Sequence, residues 1–152
     1  MALPVLHYRG DMVLMAALDP ASPAVFANFC GATGVTISVS NNMQEVQTGD
    51  CEDWNLPIQT LVAYGAQTVT MTINAQLARG NRDRILRWAV DQLEIPLRLH
   101  IVDAASGEIE YVDGIGMLGD FGLDGIGNTE GAVITTSLTI RFKTGVEFTN
   151  AA

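Results

Sequence analysis

The segment QTVTMTINAQL, residues 67–77, alternates strictly between polar and apolar side chains. Successive side chains of a β-strand point to opposite faces, so this period predicts a strand with one face in a core. The apolar face consists of Val69, Met71, Ile73, Ala75 and Leu77. The opposite face consists of five uncharged polar residues: Thr68, Thr70, Thr72, Asn74 and Gln76. A polar face without any charge is the feature that a function for this chain must explain.

A second segment, AVITTSLTIRFK (132–143), repeats this pattern near the other end of the chain. Thr135, Ser137 and Thr139 alternate with apolar residues, and Arg141 and Lys143 come only at its end. Thr136 departs from the apolar register. Further strands are predicted at 11–18, 35–40, 43–48, 97–103 and 108–118. A turn at Asn41-Asn42 and a glycine-rich loop at roughly 119–131 are predicted between them.

One stretch, RGNRDRILRWAVDQLEIP, changes to a helical period. Asn81 suits the N-cap, Pro96 follows the end, and the apolar residues that recur are Ile85, Leu86, Ala89, Val90 and Leu93. We therefore predict one α-helix at about 81–94. Residues 49–66 show no clear period, and the segment 41–66 is predicted to form a long extended arm or hairpin.

These elements predict a mainly β fold, an antiparallel sandwich or open barrel with one flanking α-helix. We expect one domain over residues 1–152, with residues 1–10 and 144–152 as extended termini. Charged residues make up 16% of the chain, whereas about 25% is usual. Part of the surface is therefore expected to be covered by an oligomer interface.

The charge is strongly acidic, with 17 acidic and 8 basic residues and a net charge of −9. Such a surface should repel nucleic acid. Four arginines occur in one short stretch: Arg79, Arg82, Arg84 and Arg87. We expect them to pair with acidic surface on the same or a neighbouring subunit.

A search for chemistry identifies no catalytic, metal or cofactor site. GIGMLG (114–119) matches GxGxxG but opens no helix. The oxygen-bearing side chains after it (Asp120, Asp124, Asn128, Glu130) fit no EF-hand spacing, and the acidic residues around Cys51 have no histidine nearby in sequence. Cys30 and Cys51 are expected to be reduced, half-buried thiols. The N-terminus lacks a signal-peptide pattern and no apolar run reaches the length of a membrane helix, so we expect folding in a cytoplasm.

The order of elements carries a resemblance. TGVTISVSNNMQEVQTGD leads into an acidic and then apolar arm, and residues 66–103 read as strand, helix and strand. A glycine-rich loop then leads to TTSLTIRFKTG. This order, over about residues 10 to 145, resembles the major tail (tail tube) proteins of long non-contractile-tailed bacteriophages and related phage-like particles.

The resemblance implies a structural virion protein of the tail, not an enzyme, assembled in the host bacterial cytoplasm. Subunits would close into hexameric rings, and the rings would stack into a tube through which DNA passes without specific binding. The implied partners are other copies of the chain and the tape-measure, tail-tip or baseplate, and tail-terminator proteins. No cofactor and no membrane insertion are implied.

Within that resemblance, the polar faces would line the lumen, with Thr68, Thr70, Thr72, Asn74, Gln76, Thr135, Ser137 and Thr139. Residues of the arm and the arginines would contact neighbouring subunits or rings. These candidates are Asp50, Glu52, Asp53, Trp54, Leu56, Ile58, Arg79, Arg82, Arg84 and Arg87.

Alternatives remain open at this stage. The first alternative is a tail terminator, a baseplate ring protein or a secretion-tube ring protein that shares the same sheet. A closed β-barrel that binds a small apolar ligand is a further alternative, and it predicts a monomer with an internal cavity. Threonine favours strands in any case, so a monomeric sandwich could also carry such polar faces.

Overall fold

The computed structural model describes residues 3–7, 9–18, 25–29, 31–127 and 133–152. A short 3₁₀ turn (Arg9–Asp11) precedes the first strand. The strands are β1 (Met12–Ala16), β2 (Ala27–Asn28), β3 (Ala32–Thr48), β4 (Gln59–Gln76), β5 (Glu94–Ile101), β6 (Ile109–Asp124), β7 (Thr135–Phe142) and β8 (Glu147–Asn150). The described residues contain a single α-helix, α1 (Arg82–Val90).

All eight strands belong to one antiparallel sheet, in the order β2-β1-β5-β6-β7-β4-β3. β8 pairs with the first part of β6, whereas β7 pairs with its last part. The sheet is open, because β2 and β3 end the strand order. The predicted fold class, mainly β with one flanking helix, is confirmed.

The core lies between the apolar face of the sheet and α1. Ile85 and Trp88 of α1 are buried in one cluster with residues of four strands. The buried strand residues include Leu14, Met71, Ile73, Leu97, Leu138 and Ile140. Burying an aliphatic or aromatic side chain of this size stabilises the fold by roughly 1.5–3 kcal/mol. Because α1 covers the apolar face, the polar face of β4 and β7 lies on the other side of the sheet.

The predicted turn at Asn41-Asn42 is wrong, because β3 continues through both residues to Thr48. The pairing register shifts there: Asn41 lies opposite Gln67 and Met43 lies opposite Tyr64, so β4 holds one extra residue. Gly65 lies in this bulge. A Cβ at Gly65 would be 2.7 Å from the carbonyl oxygen of Asn42, so the bulge requires glycine.

The glycine-rich loop predicted from residue 119 is also wrong in its first part. β6 runs to Asp124, since β7 pairs with it as far as Asp124 and Thr135. Hydrogen bonding to a neighbouring strand outweighs the weak strand preference of glycine here. Residues 128–131 of the predicted loop, with Asn128 and Glu130, lie outside the described residues.

α1 is shorter than the predicted helix at 81–94. Gln92 has a φ of 53°, and the amide of Leu93 donates to the carbonyl oxygen of Trp88, so the chain leaves the helix there. Val90 is 77% exposed and therefore does not belong to the buried helix face. Asn81 occupies the N-cap position as expected, but its side chain accepts no capping hydrogen bond.

The C-terminal segment, 144–152, contains β8, and the amide of Ala151 donates to the carbonyl oxygen of Glu108. At the other end, residues 3–7 lie outside the helices and strands. Among the described residues, no helix has the length and hydropathy that crossing a membrane requires.

Candidate functional site

The uncharged polar residues of β4 and β7 form one continuous surface. Thr72 lies opposite Thr139, Asn74 opposite Ser137, and Gln76 opposite Thr135. Residues directly opposite in an antiparallel pair point to the same side of the sheet. Thr68, Thr70 and Thr139 are half-buried, and the other predicted lumen residues are exposed. The structure therefore brings all eight of these residues together on one side.

β3 extends this surface by a third strand. Thr36, Ser38 and Ser40 lie opposite Thr72, Thr70 and Thr68. The sequence signal for these three residues is the alternation in VTISVS: its apolar residues predict the strand, and its polar residues, which the predicted lumen set omits, predict the third strand of this surface. We call the polar side of β3, β4 and β7 the polar face; its uncharged members are Thr36, Ser38, Ser40, Thr68, Thr70, Thr72, Asn74, Gln76, Thr135, Ser137 and Thr139.

Charged residues border the polar face at its β6 side. Asp120 and Asp124 of β6 lie opposite Thr139 and Thr135. Arg141 lies opposite Thr70 on β4 and Met117 on β6, and it forms no ion pair with any described residue. Lys143, in contrast, pairs with Glu94 at 3.0 Å. One cation, Arg141, is therefore on the polar face itself.

Thr136 lies on the opposite, apolar side of β7. It is 4% exposed, and its hydroxyl donates to the carbonyl oxygen of Gly122 at 3.1 Å. A buried hydroxyl is costly unless it is hydrogen-bonded. Its apparent departure from the apolar register is thus a satisfied polar group within the core.

Residues 41–66 form the outer part of the hairpin made by β3 and β4, and we call this segment the arm. All of its residues are exposed. Its large apolar side chains include Met43, Val46, Trp54, Leu56, Ile58, Leu61, Val62 and Tyr64, each at least 49% exposed. A monomer rarely exposes so many apolar residues in one segment, which is typical of an interaction surface.

The tip of the arm is acidic and locally ordered by hydrogen bonds. One carboxylate oxygen of Asp50 accepts from the amides of Glu52 at 2.7 Å and Asp53 at 2.9 Å. The amide of Asp53, and then that of Glu52, holds the pKa of Asp50 below its usual value. Asp53 in turn accepts from the amide of Asn55. The tip therefore presents fixed negative charge at neutral pH.

The four arginines, which we call the arginine cluster, lie on and just before α1, and all are exposed. Arg82 pairs with Asp83 at 3.1 Å. Arg79, Arg84 and Arg87 form no ion pair within the part of the chain that the structure describes. The cluster is thus a basic surface on an acidic protein.

Cys51 is a free, exposed thiol at the arm tip, so the expectation of a half-buried thiol is wrong for it. Cys30 lies outside the described residues. The GIGMLG motif lies within β6 and opens no helix. Gly114 and Gly116 instead make room for large neighbours. A Cβ at Gly114 would be 2.7 Å from the side chain of Phe142, and a Cβ at Gly116 would be 2.7 Å from that of Leu97.

The sequence model of the phage tail tube protein family matches residues 8–141. The chain belongs to the phage tail tube protein family. This tail tube protein is therefore a structural protein of the virion tail and not an enzyme, as the resemblance implied. None of the curated proteins matches it in sequence.

Solved structures share the fold of this tail tube protein at low sequence identity. The tail of an empty gene transfer agent particle, with C6 symmetry, is similar at a TM-score of 0.68 and 16% identity, over 95% of this chain and 99% of that one. The SPP1 tail tube has a TM-score of 0.67 and 12% identity, over 97% and 80%. A sheath/tube terminator of an extracellular contractile injection system has a TM-score of 0.63 and 6% identity, over 97% and 99%.

Proposed function

We propose that this chain closes into six-membered rings that stack into the tail tube, with the polar face lining a channel for DNA. The observation that carries the proposal is the polar face itself, eleven uncharged polar residues on three adjacent strands. The C6 symmetry of the similar gene transfer agent tail supports the ring number.

An uncharged polar wall suits the passage of DNA. Lysine or arginine side chains would bind phosphates, and each such contact adds salt-dependent affinity. Hydroxyl and amide groups form hydrogen bonds with water and lack the long-range attraction that a cation exerts on phosphates. A strand of eleven residues spans roughly 36 Å, so one ring would supply a wall of that height.

The acidic excess acts in the same direction. Each chain contributes a net charge of −9, so a ring of many copies repels a polyanion at long range. Asp120 and Asp124 border the polar face and add to this repulsion. In this arrangement Arg141 pairs across a subunit boundary, because an unpaired cation in the wall would hold phosphate.

The edges of the sheet provide the means of ring closure. β3 is an end strand of 17 residues, and one side of its backbone pairs with no other strand that the structure describes. Unpaired strand edges of this length template pairing with another chain. The apolar side of β3 is only partly covered, with Val35 and Ile37 each 37% exposed and Val39 51% exposed. A neighbouring subunit would cover both the edge and these side chains.

The arm and the arginine cluster are the proposed contacts between subunits or rings. The arm has apolar sides and an acidic tip that its own chain leaves exposed. The arginine cluster offers the opposite charge. Electrostatic complementarity of this kind fixes register and orientation between partners.

Electron microscopy of the purified, concentrated protein tests the proposal. Six-fold rings and tubes are expected, together with species far above the 16.3 kDa subunit in size-exclusion chromatography with light scattering. Single rings that never stack would favour a tail terminator, whose fold is similar. A strict monomer under all conditions, including with tail-tip proteins present, would contradict the proposal.

A further inference from the structure

Three side chains beside the start of β1 form a cluster that the proposed tube does not use. His7, Asp11 and Asp103 each present one ligand atom, and these atoms all lie within 4.8 Å of one another. His7 Nδ1 is 3.4 Å from Asp103 Oδ2 and 3.9 Å from Asp11 Oδ2. The cluster brings Asp103 to two residues that are distant from it in sequence.

The sheet fixes the two carboxylates relative to each other. Asp11 ends the 3₁₀ turn before β1, and Asp103 follows β5. β1 and β5 pair from Met12 and Ile101 onward, and the amide of Val102 donates to the carbonyl oxygen of Asp11 at 2.8 Å. His7 reaches the site from residues 3–7, which lie outside the helices and strands, and Asp103 reaches it from the turn after β5.

We propose that this cluster binds a divalent cation of intermediate hardness, such as Zn²⁺. One imidazole nitrogen and two carboxylate oxygens suit such ions, whereas Ca²⁺ and Mg²⁺ prefer oxygen ligands alone. Around a tetrahedral ion with bonds of about 2.1 Å, adjacent ligand atoms lie roughly 3.4 Å apart. The distances from His7 Nδ1, 3.4 and 3.9 Å, are close to this value.

The exposure of the cluster is compatible with ion entry. The side chains of His7, Asp11 and Asp103 are 58%, 30% and 46% exposed, so small rotations can adjust the geometry and water can complete the coordination sphere. Two neighbouring carboxylates repel each other. A bound dication removes this repulsion.

The cation positions the N-terminal segment. Leu3, Val5 and Leu6 are 83%, 97% and 60% exposed. With His7 ligated, these apolar residues are held beside the turn between β5 and β6. This proposal concerns the single subunit, so it stands or fails independently of ring formation.

Isothermal titration calorimetry with ZnCl₂ tests the site in a Cys51→Ser background, which removes the exposed thiol as a competing ligand. One ion per chain is expected. His7→Ala and Asp103→Asn should each weaken binding by more than about tenfold, because even the loss of a group that merely supports a ligand costs that much.

His100→Gln is the matched control. His100 Nε2 lies 3.4 Å from Glu110 Oε1, the same spacing as in the cluster, but with a single carboxylate. This variant should bind zinc like the Cys51→Ser parent, and zinc should raise the melting temperature of both but not of His7→Ala. The proposal is overturned if the parent binds no zinc, if His7→Ala binds it equally, or if His100→Gln loses binding to the same extent.

Discussion

At the residue scale, single atoms decide which side chains the sheet accepts. Gly116 faces the core between Leu97 and Ile140, and a Cβ there would be 2.7 Å and 2.9 Å from their side chains. Gly119, in the same motif, would place its Cβ 3.5 Å from the carbonyl oxygen of Thr139, an ordinary contact. Within the spacing that imitates a dinucleotide motif, packing therefore requires glycine at position 116 and not at position 119.

Gly116→Ala should lower the free energy of unfolding by about 1–3 kcal/mol, the usual cost of overpacking a core. Gly119→Ala, the matched control, should change it by less than about 0.5 kcal/mol. Urea denaturation followed by circular dichroism measures both. Equal effects of the two substitutions would show that the close contacts at Gly116 do not limit packing.

At the element scale, the arm is separate from what stabilises the subunit. No residue of the arm belongs to the hydrophobic core cluster. Replacing residues 49–58 by an Asn-Gly turn between β3 and β4 should therefore leave the free energy of unfolding within about 0.5 kcal/mol of the parent. Tube formation, seen by negative-stain microscopy, should be lost.

Cys51→Ser serves as the control for this deletion, because it changes the same segment without shortening it, and it should assemble normally. Normal tubes from the shortened arm would refute the assignment of the arm to an intersubunit contact. Loss of the folded subunit would instead show that the arm stabilises the monomer.

The arginine cluster permits a test by complementation. Arg84→Glu with Arg87→Glu makes the helix surface acidic, and Glu52→Arg with Asp53→Arg makes the arm tip basic. Neither double variant should form tubes alone, since each presents like charges at the proposed contact. An equimolar mixture should form them, because each tip then meets a helix of opposite charge.

The readout of this complementation is light scattering of each double variant alone and of the mixture. Assembly of either variant by itself, or failure of the mixture to assemble when both are folded, would contradict a contact between arm tip and α1. Cys51→Ser again provides the assembling control.

The sequence predicts those strands and helices whose repeat of polar and apolar residues is visible within one short segment. The alternation of residues 67–77 correctly predicts the second half of β4, and the helical repeat at 81–94 correctly predicts α1 but not its end at Val90. It missed the continuity of β3 through Asn41 and of β6 through its glycines, because strand pairing across the sheet overrides local turn preference. The polar face was found on β4 and β7 from the same alternation that gave the strands.

The cluster of His7 with Asp103 was beyond sequence reasoning for a related reason. His7 and Asp11 are four residues apart, but Asp103 is far along the chain and joins them only through the pairing of β1 with β5. Spacing along the sequence reveals only local motifs, so it gives no sign of this cluster.

At the scale of the whole molecule, the polar face and α1 lie on opposite sides of the sheet, which provides a matched pair of charge substitutions. Thr72→Lys adds a cation to the polar face, and Val90→Lys adds one to the exposed surface of α1. Both proteins should assemble. Only Thr72→Lys should slow DNA ejection, and added salt should partly restore it, because phosphate contacts weaken with salt.

Ejection kinetics of particles that carry each variant measure this difference. Equal ejection by Thr72→Lys and the parent would place the polar face away from DNA. Equal slowing by both lysines would attribute the effect to net charge and not to the channel wall.

The most direct test of the central claim is a helical reconstruction of assembled tubes by cryo-electron microscopy. The account predicts that Thr70, Thr72 and Ser137 point toward the tube axis and that α1 lies on the outer surface. A map in which these polar side chains face outward into bulk solvent, with α1 toward the axis, would contradict it.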